Sequence, residues 1–426
     1  MRRPDLPLML LVLAMGAGLI ALAGDGRSSP PVGATLGAPP SAPDPIDDFF
    51  ADFDPVFIDC FGGLDPIDGE DVDPADQAAL VDQVSTRVER LRDLRFERAV
   101  EARFLAPAAL RDEVEGLVAE ELPPAEIARE EQVLRELGAI PPAGDLEEIT
   151  TEALGSQVAG LYDTKSGELL VGRSEDVGAD ELITLAHELE HALSDQALGI
   201  RERSGGPRAV DRELAYSAVV EGDATLLMEL YALSYVGFDE QLELGESVPG
   251  EEEFAALPDY VQRSLLFPYL EGLRLVCHRF TDGGWRAVNE LYEDPPAATS
   301  QVIFPDRYGV IEPRSVSLPP RPGPGWRSIS RRELGAAELE WLFRAPGGDP
   351  EASLPEPREL VFGWAGGELE LWRRGGELAL AISLAELPKT ESLCGAVGAW
   401  YRGERAEGGG GGGEGAPVGM EVSPPG

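Results

Sequence analysis

Basic side chains are scarce in this chain of 426 residues. Its 35 Lys and Arg side chains are outnumbered by 78 Asp and Glu, so the formal net charge is −43 at pH 7. Binding to nucleic acid needs a basic face against the phosphates, and adhesion to an anionic lipid surface needs the same. The composition therefore argues against both kinds of protein, and we expect no nucleic-acid partner.

Long uncharged apolar segments are also lacking, apart from one at the N-terminus, which argues against a multi-pass membrane protein. Residues 6–24 carry no charge and follow Arg2-Arg3, and Ala21-Leu-Ala23 offers the small residues that signal peptidase reads. We therefore expect residues 1–23 to be a cleaved signal peptide, and the mature protein to be secreted or to lie in the cell envelope. The alternative is an uncleaved membrane anchor, since 19 uncharged residues just span a bilayer.

Cysteine and histidine occur only three times each. Cys60, Cys277 and Cys394 are far apart in the chain, and no two of them have the spacing of a metal site. An exported protein can form one disulfide from them and keep one free thiol. The sequence leaves the pairing open.

The chain beyond the signal divides by composition into further segments. Pro, Gly and Asp dominate residues 24–70, which are typical of a linker. Residues 71–318 alternate helical and strand patterns and form the predicted main domain. A Pro-rich connector at 319–324 precedes a small C-terminal α+β domain at 325–404, and the Gly-rich tail 405–426 is expected to be disordered.

These patterns predict an α+β fold that is mainly helical, with a small hairpin sheet before the helix that starts at Ala179 and a β-rich C-terminal part. Pro268 is expected to kink its helix. Helices are predicted from about 74 to 91 and at Pro107–Glu121, Ala125–Leu137, Ala179–Leu198, Ala209–Tyr235, Tyr260–Phe280 and Trp285–Tyr292. Strands are predicted at Glu97–Leu105, Val158–Tyr162, Glu168–Val171, Leu360–Trp364, Glu368–Trp372 and Leu378–Ile382.

A His-Glu-x-x-His motif lies on the helix that starts at Ala179. His187 and His191 are four residues apart, so both imidazoles lie on one helix face and can bind one tetrahedral zinc ion. Glu188 lies beside that point, where it can accept a proton from a water molecule activated by the metal. Glu190 lies about 200° around the helix from Glu188 and is expected to point away. Because the motif is short, a chance match in an ordinary helix is the alternative.

A third ligand is predicted on the following helix. Glu221 lies among the apolar residues of 218–227, where a carboxylate without a partner is costly unless it binds a cation. Two His and one Glu leave the fourth position of a catalytic zinc for water, so we expect one Zn²⁺ per chain. The alternatives left open are an ion pair of Glu221 with Arg212 or Arg274, and Glu271 or His278 as the third ligand.

The hairpin before the motif is a candidate for binding substrate. Zinc peptidases hold an extended substrate against an edge strand beside the metal-binding helix. The strand predicted for that role consists of Glu168, Leu169, Leu170 and Val171. The alternative is a hairpin with a purely structural role.

The ordered set of motifs resembles the gluzincin type of zincin metallopeptidases. It is more closely similar to a family of exported bacterial zincin-like proteins with a poorly defined substrate. The likeness covers about residues 75–310, with a weaker match at Gly363-Trp364. The matching segments are Gly160–Asp163, Ala186–Gln196, Glu221–Thr225, Gly283–Trp285 and Pro295–Thr299.

The chain departs from these families at several positions. Thermolysin-type enzymes carry an aspartate four residues after the glutamate ligand, where this chain has Thr225. Asp223 is too near in sequence to share that helix face, so Asp195 is the candidate to orient a ligand histidine, or else it caps its helix. In the stretch Thr299–Pro305, Phe304 lies where the family pattern has a polar residue. The candidates for stabilising the transition state are His278, Tyr162 and Tyr308.

The resemblance implies an exported zinc metallopeptidase that acts on a peptide or protein. The alternative is a catalytically inactive binding or envelope-maintenance protein with the same metal site, because a fold does not imply a function. Membrane contact is expected only if the N-terminal segment stays uncleaved.

Overall fold

The computed structural model describes residues 60–61, 77–121, 124–146, 149, 159–172, 178–200, 208–237, 254–388, 390 and 393–407. The predicted signal peptide, nearly all of the predicted linker and most of the predicted tail lie outside the described residues. Helices and two small sheets build the described part, which is an α+β structure as predicted. No helix in that part is long and apolar enough to cross a membrane.

Helices and strands are numbered separately along the chain. The helices are α1 Gln77–Arg92, α2 Pro107–Glu121, α3 Pro124–Glu136, α4 Ala179–Leu198, α5 Val210–Tyr235, α6 Asp259–Glu293, α7 Thr299–Ile303, α8 Ala336–Arg344, α9 Pro357–Leu360 and α10 Leu393–Glu407. The strands are β1 Glu101–Leu105, β2 Gly160–Asp163, β3 Glu168–Gly172, β4 Arg327–Glu333, β5 Trp364–Arg374 and β6 Glu377–Glu386.

The two helices predicted between Tyr260 and Tyr292 form the single long element α6. Its backbone leaves helical geometry at Gly283 and Gly284, where the sequence pattern also divides. Gly284 has a φ of 63°, which glycine adopts without the cost that a β-carbon brings. The break therefore lies at this glycine pair, while Pro268 lies inside the helix with no such departure at its own position.

The first sheet has the strand order β1-β3-β2. Strand β3 pairs in parallel with β1 and antiparallel with β2, so both of its edges are hydrogen-bonded. The prediction that Glu168–Val171 is the edge strand is therefore wrong. The reason is that β1, which is distant in sequence, occupies the outer side of β3, and the edge beside α4 belongs to β2.

The second sheet is antiparallel, with the order β4-β5-β6. The strand predicted at Leu360–Trp364 is wrong, since this stretch begins as α9 and a short 3₁₀ turn before β5 starts at Trp364. Pro357 at the first position of α9 suits a helix start. The third strand is instead β4, whose sequence Arg-Ser-Ile-Ser-Arg-Arg-Glu lacks the apolar alternation of a recognisable strand.

One large apolar core spans both sides of the Pro-rich connector. It unites buried residues of α3, α5, α6, α8, β5 and α10, so the predicted boundary at 319–324 does not divide the core. A second core packs α1, β2 and β3 against α4 and the C-terminal half of α5. Helix α5 belongs to both cores and therefore holds α4 against the rest of the molecule.

The backbones of helices α5 and α6 are in contact at Gly222 and Gly272. A β-carbon added at Gly222 would overlap the backbone of Gly272, and one added at Gly272 would overlap the carbonyl oxygen of Ala218. Only glycine permits this backbone contact. It lies one residue beyond Glu221 and thus sets the depth at which that carboxylate is held.

A disulfide joins Cys60 to Cys277 of α6, with the two Cα atoms 5.5 Å apart. Both cysteines are buried, and Cys394 is a free, exposed thiol. The pairing that the sequence left open is thereby resolved, and it ties the segment around residue 60 to the middle of α6.

Candidate metal centre

Helices α4 and α5 bring His187, His191 and Glu221 together in the protein interior. The Nε2 atoms of the two histidines are 3.1 Å apart, and Oε2 of Glu221 lies 3.3 Å from the first and 3.4 Å from the second. The three residues are at most 8% exposed. Because their ligand atoms all lie within 4.8 Å of one another, this buried group can hold a metal ion.

The charges at this point favour a cation. Burial by itself raises the pKa of Glu221, but His191 and His187 outweigh that effect and lower it to about 2. Burial lowers the pKa of His191, but Glu221 and Glu188 raise it to about 9. A metal ion that binds the ring nitrogen of His191 therefore displaces a proton from it.

Glu188 lies next to the ligand group and is held by the hairpin. Its Oε2 accepts a hydrogen bond of 2.6 Å from the main-chain N–H of Tyr162. Burial raises the pKa of Glu188 to about 7, although His191 and the Tyr162 amide act in the opposite direction. A carboxylate with a pKa near neutrality suits the work of a general base.

Tyr269 is a neighbour of the site that the sequence did not reveal. Its ring stacks on that of His187, with centroids 6.2 Å apart and an interplanar angle of 27°. The side chain is buried and comes from α6, close to the Gly222–Gly272 contact. The sequence Phe-Pro-Tyr around it matches no recognisable motif. Its contact with His187 is therefore visible only once α6 is packed against the site.

A second buried cluster lies on the other side of α4. Arg92 binds Glu190 at 3.1 Å and Asp223 at 2.8 Å. Ser194 donates to Glu190 at 2.6 Å, and Tyr292 donates to Asp223 at 2.8 Å. Glu190 does point away from the ligand group as predicted. It is also buried in an ion cluster and does not lie on the protein surface.

Asp195, the candidate to orient a ligand histidine, has another partner, and so do Thr225 and Asp223. Asp195 accepts a hydrogen bond of 2.9 Å from the hydroxyl of Tyr162. Thr225 donates to the carbonyl of Glu221 at 2.6 Å, which closes a turn of α5. Asp223 belongs to the Arg92 cluster, so none of these residues has a hydrogen bond to a ligand histidine among those described.

The alternative ligands and donors lie outside the ligand group. Glu271 makes a bidentate ion pair with Arg358 at 2.6 and 3.0 Å. His278 lies 3.6 Å from Asp306 and is about one-third exposed. Tyr308 donates to the carbonyl of Asp294 at 2.6 Å. Arg212 pairs with Glu333 and not with Glu221, and Phe304 packs edge-on against Phe362.

Comparisons of the chain with models of known protein families, with curated proteins and with solved structures find no match. The resemblance to zincins therefore stays a prediction from the sequence motifs.

Proposed function

We propose that the protein is an exported zinc metallopeptidase that hydrolyses peptide bonds. The observation that carries the proposal is the convergence of His187, His191 and Glu221 in a buried group, with the carboxylate of Glu188 next to it. Two nitrogens and one carboxylate oxygen are the ligand set of a catalytic zinc site with an open position.

A zinc ion held by these ligands supplies Lewis acidity, which lowers the pKa of water and polarises a carbonyl group. Glu188 accepts one proton of the attacking water and delivers it to the nitrogen of the leaving amine. The carbonyl carbon thereby gains the water oxygen and loses its bond to nitrogen. Burial of Glu188 keeps bulk water from competing for the proton.

Among the described residues no strand pairs with the outer edge of β2, which supports the proposal of an extended substrate. The N–H of Gly172 donates to the carbonyl of Ala159 at 2.8 Å, so Leu161 and Asp163 also face β3 in the alternating ladder. The main-chain groups of Gly160 and Tyr162 therefore point away from the sheet. Because the outward N–H of Tyr162 already donates to Glu188, an extended peptide that adds a strand here would pair with the remaining outward groups of β2.

The disulfide between Cys60 and Cys277 supports export, because such bonds persist in oxidising compartments. Mass spectrometry of the N-terminus of protein from the native host tests this part. A chain that starts at Gly24 is expected, and an intact Met1 in the membrane fraction would support an anchor instead.

Metal analysis beside peptide cleavage tests the enzyme. We expect one zinc per chain, lost in His187→Ala, and a larger loss in Glu221→Ala than in His278→Ala. Glu188→Gln is expected to keep the zinc and to lose roughly 10²–10⁴-fold in turnover of a peptide library. Asp180→Asn, at an exposed position of the same helix, is the matched control and is expected to cleave like wild type.

Zinc-loaded wild-type protein that cleaves no member of a broad peptide library would favour the non-catalytic binding role. Unchanged zinc content in His187→Ala would contradict the assignment of the metal site to His187, His191 and Glu221.

A further inference from the structure

Tyr162 contacts the metal-binding helix α4 at two separate points. Its main-chain N–H donates to Oε2 of Glu188 at 2.6 Å, and its hydroxyl donates to Oδ2 of Asp195 at 2.9 Å. Glu188 and Asp195 are seven residues apart, which is two helical turns along nearly the same face. His191 lies between them along the helix, so a single residue of the hairpin contacts α4 on both sides of this ligand histidine.

The amide of Tyr162 is available to Glu188 because of the strand register. In the β2–β3 ladder this residue lies opposite Leu169 in a pair that exchanges no hydrogen bonds, so its N–H points off the free edge. An edge N–H usually meets water or another strand. Here it meets a buried carboxylate, at the short distance of a charge-assisted hydrogen bond.

Packing presses the strand against the same side chain. A β-carbon added at Gly160 would lie 3.0 Å from Cγ of Glu188 and 3.1 Å from Cγ2 of Thr184. A residue larger than glycine would therefore require its neighbours on α4 to shift by a few tenths of an ångström. The glycine thus permits the approach that the Tyr162 hydrogen bond requires.

We infer that Tyr162 is a positioning residue for proton transfer, whose main-chain N–H aligns the carboxylate of Glu188. The inference rests on the proposed role of Glu188 as general base. With Oε2 bound by the amide, Oε1 is the oxygen that accepts the proton from water. The phenol of Tyr162 donates to Asp195 and keeps strand β2 in place against α4. The hairpin therefore positions Glu188 for proton transfer.

A matched pair of variants isolates the amide. Tyr162→Pro and Tyr162→Ala both lose the ring and the Asp195 contact, but only the proline lacks the N–H. An edge strand tolerates proline where the N–H points outward. Zinc content and KM are expected to be alike in the two variants. Because a misplacement of about 1 Å costs up to roughly 100-fold, we expect kcat of the proline variant to be about 10- to 100-fold lower.

The substrate for this comparison is the library peptide that wild-type protein cleaves fastest. Equal kcat values in two folded, zinc-loaded variants would overturn the inference. A lower kcat in Tyr162→Pro that is matched by an equal loss of zinc would also overturn it, because the effect would then reflect the metal site and not the alignment of Glu188.

Amide hydrogen exchange tests the bond without any turnover. The chain has nine tyrosines, so labelling with ¹⁵N-tyrosine gives a short set of amide signals, and loss of one signal in Tyr162→Phe identifies Tyr162. In Glu188→Ala we expect this amide to exchange about tenfold faster or more, because it loses a bond to a charged acceptor. The Tyr231 amide inside α5 is the reference and is expected to keep its rate.

An unchanged exchange rate of Tyr162 in Glu188→Ala would overturn the inference even if the proline variant failed to fold. Failure of the proposed function has a different signature, namely wild-type protein that holds zinc and cleaves nothing. In that case the exchange rates still decide whether the amide aligns Glu188.

Discussion

Nη2 of Arg92 lies 2.8 Å from Oδ2 of Asp223, two residues beyond the ligand Glu221. The same guanidinium binds Oε1 of Glu190, the residue that precedes His191. All three side chains of this cluster are at most 1% exposed. Arg92, at the end of α1, therefore joins the two helices that carry the metal ligands.

Replacing Arg92 is expected to destabilise the protein strongly. Arg92→Met keeps an apolar stem but leaves the carboxylates of Glu190 and Asp223 buried without their cation. Breaking a buried ion pair in this way costs about 3–5 kcal/mol. The free energy of unfolding from urea denaturation measures the effect, and zinc affinity is expected to fall with it because α4 and α5 lose their common anchor.

The matched control is Arg95→Met, three residues further on. The side chain of Arg95 is 73% exposed and lies 3.7 Å from the carboxylate of Glu89. Its replacement is expected to change stability by at most about 0.5 kcal/mol. A similar loss from both variants would show that the Arg92 cluster has no special part in stability.

The close contact of α5 and α6 predicts that Gly222→Ala destabilises the protein. Alanine is intrinsically the better helix former, so Gly222→Ala would stabilise an isolated helix by roughly 0.5–1 kcal/mol. In the protein the added methyl group overlaps the backbone of Gly272. We expect net destabilisation of about 1–3 kcal/mol from overpacking, and weaker zinc binding because Glu221 moves with the helix.

Gly116 of α2 is the control for that substitution, and the opposite sign is expected. It is exposed, and no atom lies within 4 Å of an added β-carbon. Gly116→Ala is therefore expected to stabilise the protein by roughly 0.5–1 kcal/mol. Thermal denaturation of the two variants compares them directly. A higher thermal midpoint for Gly222→Ala than for wild type would contradict the close backbone contact between Gly222 and Gly272.

The parts of the site that the sequence predicts are local ones. The spacing of His187 and His191 specifies a shared helix face whatever the rest of the fold does. The bounds of α4 and the hairpin follow from equally short-range patterns. The pairing of Glu221 with these histidines is predicted from its apolar surroundings, since a carboxylate there needs a partner.

The parts that the sequence does not reveal depend on contacts between distant segments. Arg92 and Glu190 form an ion pair although they are 98 residues apart in the chain. No local sequence pattern predicts which arginine pairs with Glu190. Strand β1 covers β3 from outside the hairpin, which moves the free edge to β2. Strand β4 is polar and is defined by its pairing with β5, so a search for apolar alternation passes over it.

Loss of the Cys60–Cys277 disulfide is expected to lower stability without removing the metal site. The bond closes a loop of 217 residues, and a native disulfide commonly contributes about 2–5 kcal/mol. Cys60→Ser and reduction by dithiothreitol are expected to lower the thermal midpoint alike. Cys394→Ser, at the exposed free thiol, is the control, and a fall of equal size there would contradict the assigned pairing.

Glu229 of α5 provides a prediction for the dependence of stability on pH. Its side chain is buried, and its Oε1 has no hydrogen-bond partner among the described residues. Burial raises the pKa of this carboxyl from 4.5 to about 8. Between these two values the unfolded chain releases a proton that the folded protein retains, so the contribution to stability is intact at acid pH and is lost as the pH rises through about 8.

Glu229→Gln removes the titrating group and keeps its shape. The difference in unfolding free energy between variant and wild type is therefore expected to shift in favour of the variant by up to about 1.4 kcal/mol for each pH unit between the two pKa values. Urea denaturation at acid, neutral and mildly alkaline pH measures the difference. Burial also raises the pKa of Asp211, to about 7. Because Asp211 is present in both proteins, its contribution to the pH dependence cancels in the difference. A difference that stays constant with pH would show that Glu229 titrates as it does in the unfolded chain.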